Sequence, residues 1–67
     1  MNPARRIRDD LAALIQSGAL RPGDRIPIEQ ELAAQYGCAR ATVSKAIGEL
    51  VAMGLIERRR KAGSFVA

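Results

Sequence analysis

A spacing in the middle of the chain narrows its folding options at once. Small Ala33 is followed four residues later by Gly37, and six residues after that by Val43. On either side lie two helical stretches. Residues 28–36 (IEQELAAQY) place Leu32 and Tyr36 on one face, four apart. Glu29 and Glu31 stand in the first turn, where acids suit the positive end of the helix dipole. Gly37 stops this helix. The segment CARATVSKAIGELVAMG then predicts a second one, from 39 or 40 to 53, ended by Gly54, with Val43, Ile47, Leu50 and Val51 along one side. Two helices joined by a short, glycine-containing turn form a helix-turn-helix. Ala33 lets the later helix cross closely, Gly37 supplies an unhindered backbone for the turn, and Val43 plugs the space between, with Leu32 and Ile47 completing the shared core. The plainer alternative is an ordinary packed helix pair.

The flanks extend this arrangement. In NPARRIRDDLAALIQSG, Asn2 is a good N-cap, Pro3 suits the first helical position, and Ile7, Leu11, Leu14 and Ile15 recur as one stripe, predicting a helix over 3–17 with Gly18 just beyond it. Pro22-Gly23 favours a turn that Asp24 can cap, and Pro27 holds Ile26 extended, so this connector has room for one short strand. The tail LIERRRKAGSFVA reads as two short strands, one beginning at Leu55 and Ile56 and the other formed by Ser64, Phe65 and Val66, with Lys61-Ala62-Gly63 near the turn. The expected fold class is mainly α (α+β): three helices plus a C-terminal β-hairpin, in a single domain over residues 1–67.

Composition removes several functions. A chain of 67 residues buries only about 60% of its unfolded surface, enough for one thin core. The longest purely apolar run, Leu11 to Ile15, falls far short of the roughly 20 residues a membrane-spanning helix needs. No charged-then-apolar leader opens the chain, so export is not expected. Histidine is absent and Cys38 is the single cysteine, which removes the usual general base, the commonest metal ligand and any internal disulfide. No cofactor or metal is expected. Cys38, lying in the turn, reads as a small buried hydrophobe. Eleven Lys and Arg against seven Asp and Glu give a net charge of +4, which suits a polyanion, nucleic acid before an anionic membrane. The positive charge lies mainly in RRIRDD at residues 5–10 and ERRRK at residues 57–61.

The helix that opens at Arg40 carries the functional expectation. With Val43 and Ile47 inward, Ala41, Ser44, Lys45 and Gly48 occupy the opposite half, a face of low relief with one long cation. A helix that enters a DNA major groove needs that profile together with donors that reach. Arg40 and Lys45 can reach guanine edges or phosphates, and Thr42 and Ser44 offer hydroxyls to phosphate oxygens. Arg58, Arg59, Arg60 and Lys61 cluster on the hairpin, where alternation puts Arg58 and Arg60 on one face and Arg59 on the other, with Lys61 and Gly63 at the tip. A charge run of this kind also serves simply to keep an edge strand from aggregating. The same helix-and-hairpin domain used for protein–protein contact, and double-stranded RNA binding, remain rivals, and an enzyme lacks its base. Steep weakening of binding with salt distinguishes nucleic acid from a protein partner.

These residues resemble the DNA-binding domain of GntR-family transcription regulators. The resemblance lies in Pro22-Gly23-Asp24, Ile26-Pro27 with Glu29 and Leu32-Ala33, Gly37-Cys38-Ala39-Arg40 with Thr42-Val43, Gly54-Leu55-Ile56, and Gly63-Ser64-Phe65-Val66, and it covers nearly the whole chain. The wording YGCAR and ERRRKAGSFVA is most similar to the HutC subfamily, the histidine-utilisation repressors within it. The resemblance implies a winged helix-turn-helix that reads palindromic operator half-sites in a bacterial cytoplasm, as part of a homodimer. It implies that this chain, ending at Ala67 where the wing ends, is the reading head of a longer regulator. The further domain would bind a small effector, urocanate for a histidine-utilisation repressor. Arg40 and Thr42 match positions that contact DNA in the family. The cation further along that helix is shifted from the place of Ser44 to Lys45, Gln30 stands where an arginine is common, Lys61 stands at the wing-tip glycine, and Ile28 replaces a capping serine. The implied DNA-contacting set is Gln30, Arg40, Ala41, Thr42, Ser44, Lys45, Arg58, Arg60, Lys61 and Gly63.

Overall fold

Three helices and a hairpin follow one another along the chain in a computed structural model that describes residues 2–67. Helix α1 spans Pro3–Gln16, α2 Glu29–Tyr36 and α3 Arg40–Ala52; strands β1 (Ile56–Arg59) and β2 (Gly63–Val66) pair antiparallel, Ile56 opposite Val66 and Arg59 opposite Gly63. The first helix begins where its sequence predicts, because Asn2 Oδ1 accepts from the Ala4 and Arg5 amides at 3.0 and 3.4 Å. It ends one residue earlier than expected, with Ser17 as its cap. Gly37 caps α2 at φ 64°, a left-handed conformation that a residue with a Cβ adopts only under strain, so the turn between α2 and α3 depends on glycine at this position.

The connector does more than link helices. The Ile26 amide donates to the Ser64 carbonyl at 2.8 Å, the Gly23 amide to the Val66 carbonyl at 2.9 Å, and the Val66 amide returns a bond to the Asp24 carbonyl at 2.9 Å. Residues 23–26 thus run along β2, hydrogen-bonded to it and joined by a single isolated bridge between Arg25 and Phe65. Asp24 caps the turn, its Oδ2 accepting from the Arg21 amide at 2.8 Å.

One core joins every element. It holds Ala4, Ile7 and Leu11 of α1, Ile26 of the connector, Leu32 and Ala33 of α2, Val43, Ala46, Ile47 and Leu50 of α3, and Ile56 and Val66 of the hairpin. Two residues expected inside stand at its rim. Val51 is 38% exposed: the buried stripe of α3 centres between Val43, Ala46, Ile47 and Leu50, and at 100° per residue Val51 lies about 90° off that centre. Leu14 is 43% exposed, flanked by Ala13, Ser17 and Tyr36, while Ile15 in the same turn packs against the core. Tyr36 is half-buried rather than fully inward. Its hydroxyl donates to Asp10 Oδ2 at 2.7 Å, and burial together with that bond pushes the phenol up to about 12.

Candidate nucleic-acid interface

An open cleft lies between the start of α2, the start of α3 and the hairpin. Glu29 and Gln30 contribute from α2, Arg40 and Ile47 from α3, and Arg58, Arg60, Lys61 and Gly63 from the wing, over a floor that includes Ile26 and Pro27. Six of the ten residues expected at the site, Gln30, Arg40, Arg58, Arg60, Lys61 and Gly63, therefore share one concavity. The other four lie along α3. Ala41 and Lys45 are exposed, and Thr42 and Ser44 are half-buried. Gly48, on the same face, is also half-covered, with Arg58 Nη2 standing 4.0 Å from where a Cβ would be. The outer half of α3 thus keeps the low relief its residues predict. Neither α2 nor α3 has a side-chain N-cap, since Ile28 and Ala39 hold those positions.

Ion pairing sorts the cations into two sets. Near the chain start, Arg8 Nη2 meets Asp9 Oδ1 at 3.0 Å and Nη1 meets Glu49 Oε1 at 3.3 Å, while Arg6 lies 3.8 Å from Asp10. The hydrogen bond to Asp9 is the main cause that raises the Arg8 guanidinium above its ordinary range. In the hairpin, Arg59 pairs with Glu57 at 3.5 Å and its guanidinium stacks 4.6 Å from the Phe65 ring centroid. Arg58 turns the other way, onto α3, as alternation predicts: Nη2 donates to the Ser44 carbonyl at 2.8 Å and to Ser44 Oγ at 3.3 Å, with Glu29 Oε2 3.9 Å away. Arg40, Lys45, Arg60 and Lys61 form no ion pair among the described residues. The basic stretch at the chain start is largely neutralised locally, and the uncompensated positive charge of α3 and the wing faces solvent.

The tip of the wing differs from its expected outline. β1 ends at Arg59, so strand alternation does not reach Arg60. The Ala62 amide donates back to the Arg59 carbonyl at 3.1 Å, closing a turn with Arg60 and Lys61 at its centre. Lys61 takes φ 65°, and it is the one residue other than glycine with positive φ among the described residues. Gly63 sits at the base of β2 rather than at the tip. There it accommodates a neighbour the sequence did not reveal: the Arg25 side chain packs so closely that a Cβ on Gly63 would lie 3.3 Å from its Nε. Arg25 is thereby a further exposed cation beside the wing. Only the glycine itself, in a run of wing residues, hinted at such a close approach.

Comparisons with known proteins bear on the family and the fold. The model of the family described as bacterial regulatory proteins, gntR family, matches residues 3–66. The histidine utilization repressor of Klebsiella aerogenes is 44% identical over 62 residues, covering 92% of this chain and 26% of its own length. That of Pseudomonas aeruginosa is 42% identical over 62 residues, covering 92% of this chain and 25% of its own. The chain thus spans about a quarter of the length of these curated relatives. Among solved structures, the DNA-binding domain of AraR in complex with operator ORR3 superposes with TM-score 0.93 at 37% identity, covering 97% of this chain and 78% of that one. YtrA from Sulfolobus acidocaldarius, a GntR-family transcription factor, gives TM-score 0.84 at 38% identity over 94% of this chain and 66% of its own.

Proposed function

The chain belongs to the GntR family of bacterial regulatory proteins, and from that membership we propose that it is the operator-reading domain of a transcriptional repressor, a winged helix-turn-helix that binds double-stranded DNA by sequence. It is not an enzyme. The observation that carries the reading is the placement of four unpaired cations, Arg40 and Lys45 on α3 and Arg60 and Lys61 on the wing, around the shallow exposed face of α3. Lowered into a major groove, α3 brings Arg40 and Lys45 to base edges, with Ala41 leaving room for the groove walls and Ser44 close by. Arg60, Lys61 and Thr42 meet phosphates on either side, and Gln30 adds a neutral contact from the start of α2. Arg25 extends the positive surface beside β2.

The similarity to histidine-utilisation repressors supports a role in controlling histidine catabolism. On that reading the effector is urocanate, held by a part of the regulator outside this sequence, and the complete protein works in the bacterial cytoplasm as a homodimer on palindromic half-sites. Among the described residues no helix is long and apolar enough to cross a membrane.

The test is a titration against a palindromic duplex selected for binding and against its scrambled counterpart, each at two salt concentrations. Binding weakens steeply with salt on both, because phosphate neutralisation releases counterions. Arg40→Ala erases most of the preference between the duplexes, a loss of about 1–3 kcal/mol of discrimination if the guanidinium reads a base bidentately. Equal weakening on both duplexes would remove Arg40 from base reading, and salt-insensitive binding would favour a protein partner instead.

A further inference from the structure

We propose that Arg58 is the latch that fixes the wing to α3, a positioning residue rather than a phosphate ligand. Its guanidinium leaves β1 and crosses to the middle of α3, where Nη2 donates to the Ser44 carbonyl at 2.8 Å and to Ser44 Oγ at 3.3 Å. Glu29 Oε2, from the first turn of α2, stands 3.9 Å from the same nitrogen. One side chain therefore ties together three successive elements, α2, α3 and β1. The Ser44 carbonyl already serves the helix, but a carbonyl oxygen has a second lone pair, and a charged donor is a strong partner for it. The longer contact with Glu29 adds little by attraction alone, since both groups are well exposed. Its consequence is electrostatic: the nearby cation offsets a carboxylate that otherwise faces incoming phosphate.

The floor beneath the guanidinium is fitted to it. Ser44 and Gly48 are one helical turn apart, and both are small. Gly48 weakens a helix interior for no reason internal to the helix. Its bare backbone lets Arg58 lie against α3, Nη2 being 4.0 Å from the site of a Cβ. Ser44 takes up the N–H groups of Nη2, so a phosphate could be met only through Nε and Nη1, with the side chain still held against α3. Arg60 and Lys61, two and three residues further on, carry no such ties. In the run ERRRK the role of each cation follows from where it ends: Arg59 on Phe65, Arg58 on α3, Arg60 and Lys61 outward. Given the DNA-binding reading above, on which the functional consequence rests, the latch sets the distance between the helix that reads bases and the tip that reaches the backbone.

Two measurements on the intact chain test this. The first needs no DNA: amide hydrogen exchange of the hairpin, 56–66, relative to amides of α1 in the same sample. Arg58→Ala speeds hairpin exchange about tenfold relative to α1, because the wing opens locally. Gly48→Leu keeps every charge but covers the Ser44 carbonyl, and it produces the same selective loosening. The second is the salt dependence of binding to a mixed-sequence DNA duplex, which reports phosphate contacts without base reading. Lys61→Ala lowers the slope of log K against log salt by about 1, whereas Arg58→Ala lowers it by clearly less, because no phosphate bond of its own is lost. A slope that falls for Arg58→Ala as it does for Lys61→Ala overturns the proposal, as does hairpin exchange that stays in step with α1 in both variants. If the unaltered chain binds no duplex, the DNA reading fails, and the exchange ratio still decides the latch.

Discussion

Replacing Lys61 by glycine separates the two things this residue does. Its φ of 65° puts an L-residue in the left-handed region, at a cost of about 1–2 kcal/mol that glycine does not bear. Glycine in turn loses more backbone entropy on folding, about 0.5–1 kcal/mol. The Lys61 side chain is exposed and makes no ion pair among the described residues, so its removal forfeits little else. Lys61→Gly should therefore stabilise the fold by about 0.5–1 kcal/mol. For a chain of 67 residues that raises the thermal midpoint by about 2–8 °C, followed by far-ultraviolet circular dichroism. The same change deletes a cation from the wing tip, so the slope of log K against log salt on duplex DNA falls by about 1. Lys61→Ala is the control: it loses the charge and keeps the strain, so it lowers the slope without raising the midpoint. A midpoint that drops on glycine substitution would refute the assignment of strain to this turn. An undiminished slope in both variants would take the wing tip off the DNA.

The other expectations concern stability. Ile28→Ser supplies the N-cap that α2 lacks, worth about 1 kcal/mol, but Ile28 is only 45% exposed and its lost burial costs about as much. Stability from urea unfolding should therefore move by less than about 1 kcal/mol, whereas a drop of about 2 kcal/mol or more would contradict the cap. Ile47→Ala removes a side chain that is 1% exposed, costing about 2–5 kcal/mol against the roughly 3–10 kcal/mol available to a domain of this size, so the urea midpoint should fall sharply or the fold be lost. Tyr36 holds its proton up to about 12 in the fold against an unfolded value near 10. Its contribution, about 1 kcal/mol for a half-exposed bond to a carboxylate, is complete below pH 10 and disappears as pH rises through 12; Tyr36→Phe should flatten stability over that window.

Most of the architecture is written in local chemistry, and most of the departures arise from distance. Asn2, Gly18, Gly37 and the Pro22-Gly23-Asp24 turn act within a few residues of themselves, so helix limits and turns follow from the sequence to within a residue or two. The Ala33, Gly37 and Val43 spacing likewise fixes the helix pair, because each residue meets its partner across one short turn. Leu14 and Val51 carry the right character for a core, but a stripe drawn on apolar character alone is wider than the face the neighbouring elements cover. Arg25 beside Gly63, and Arg58 reaching back to Ser44, are contacts across 38 and 14 positions, invisible until the hairpin is folded against the connector and α3. Of the candidate interface, the α3 face could be assigned from helical angle alone. Which of the hairpin's cations remain free could not, since that depends on the partners each finds.

The central claim is that the outer face of α3 enters a duplex. It is tested most directly by following amide resonances of the isotopically labelled chain as a selected palindromic duplex is added. The largest shifts should fall at Ala41, Ser44, Lys45 and Gly48 and on the wing over 60–62, with the amides of Ile7 and Leu11 on the far side of the core nearly still. Unmoved signals along α3, with shifts gathered instead on α1, would contradict it.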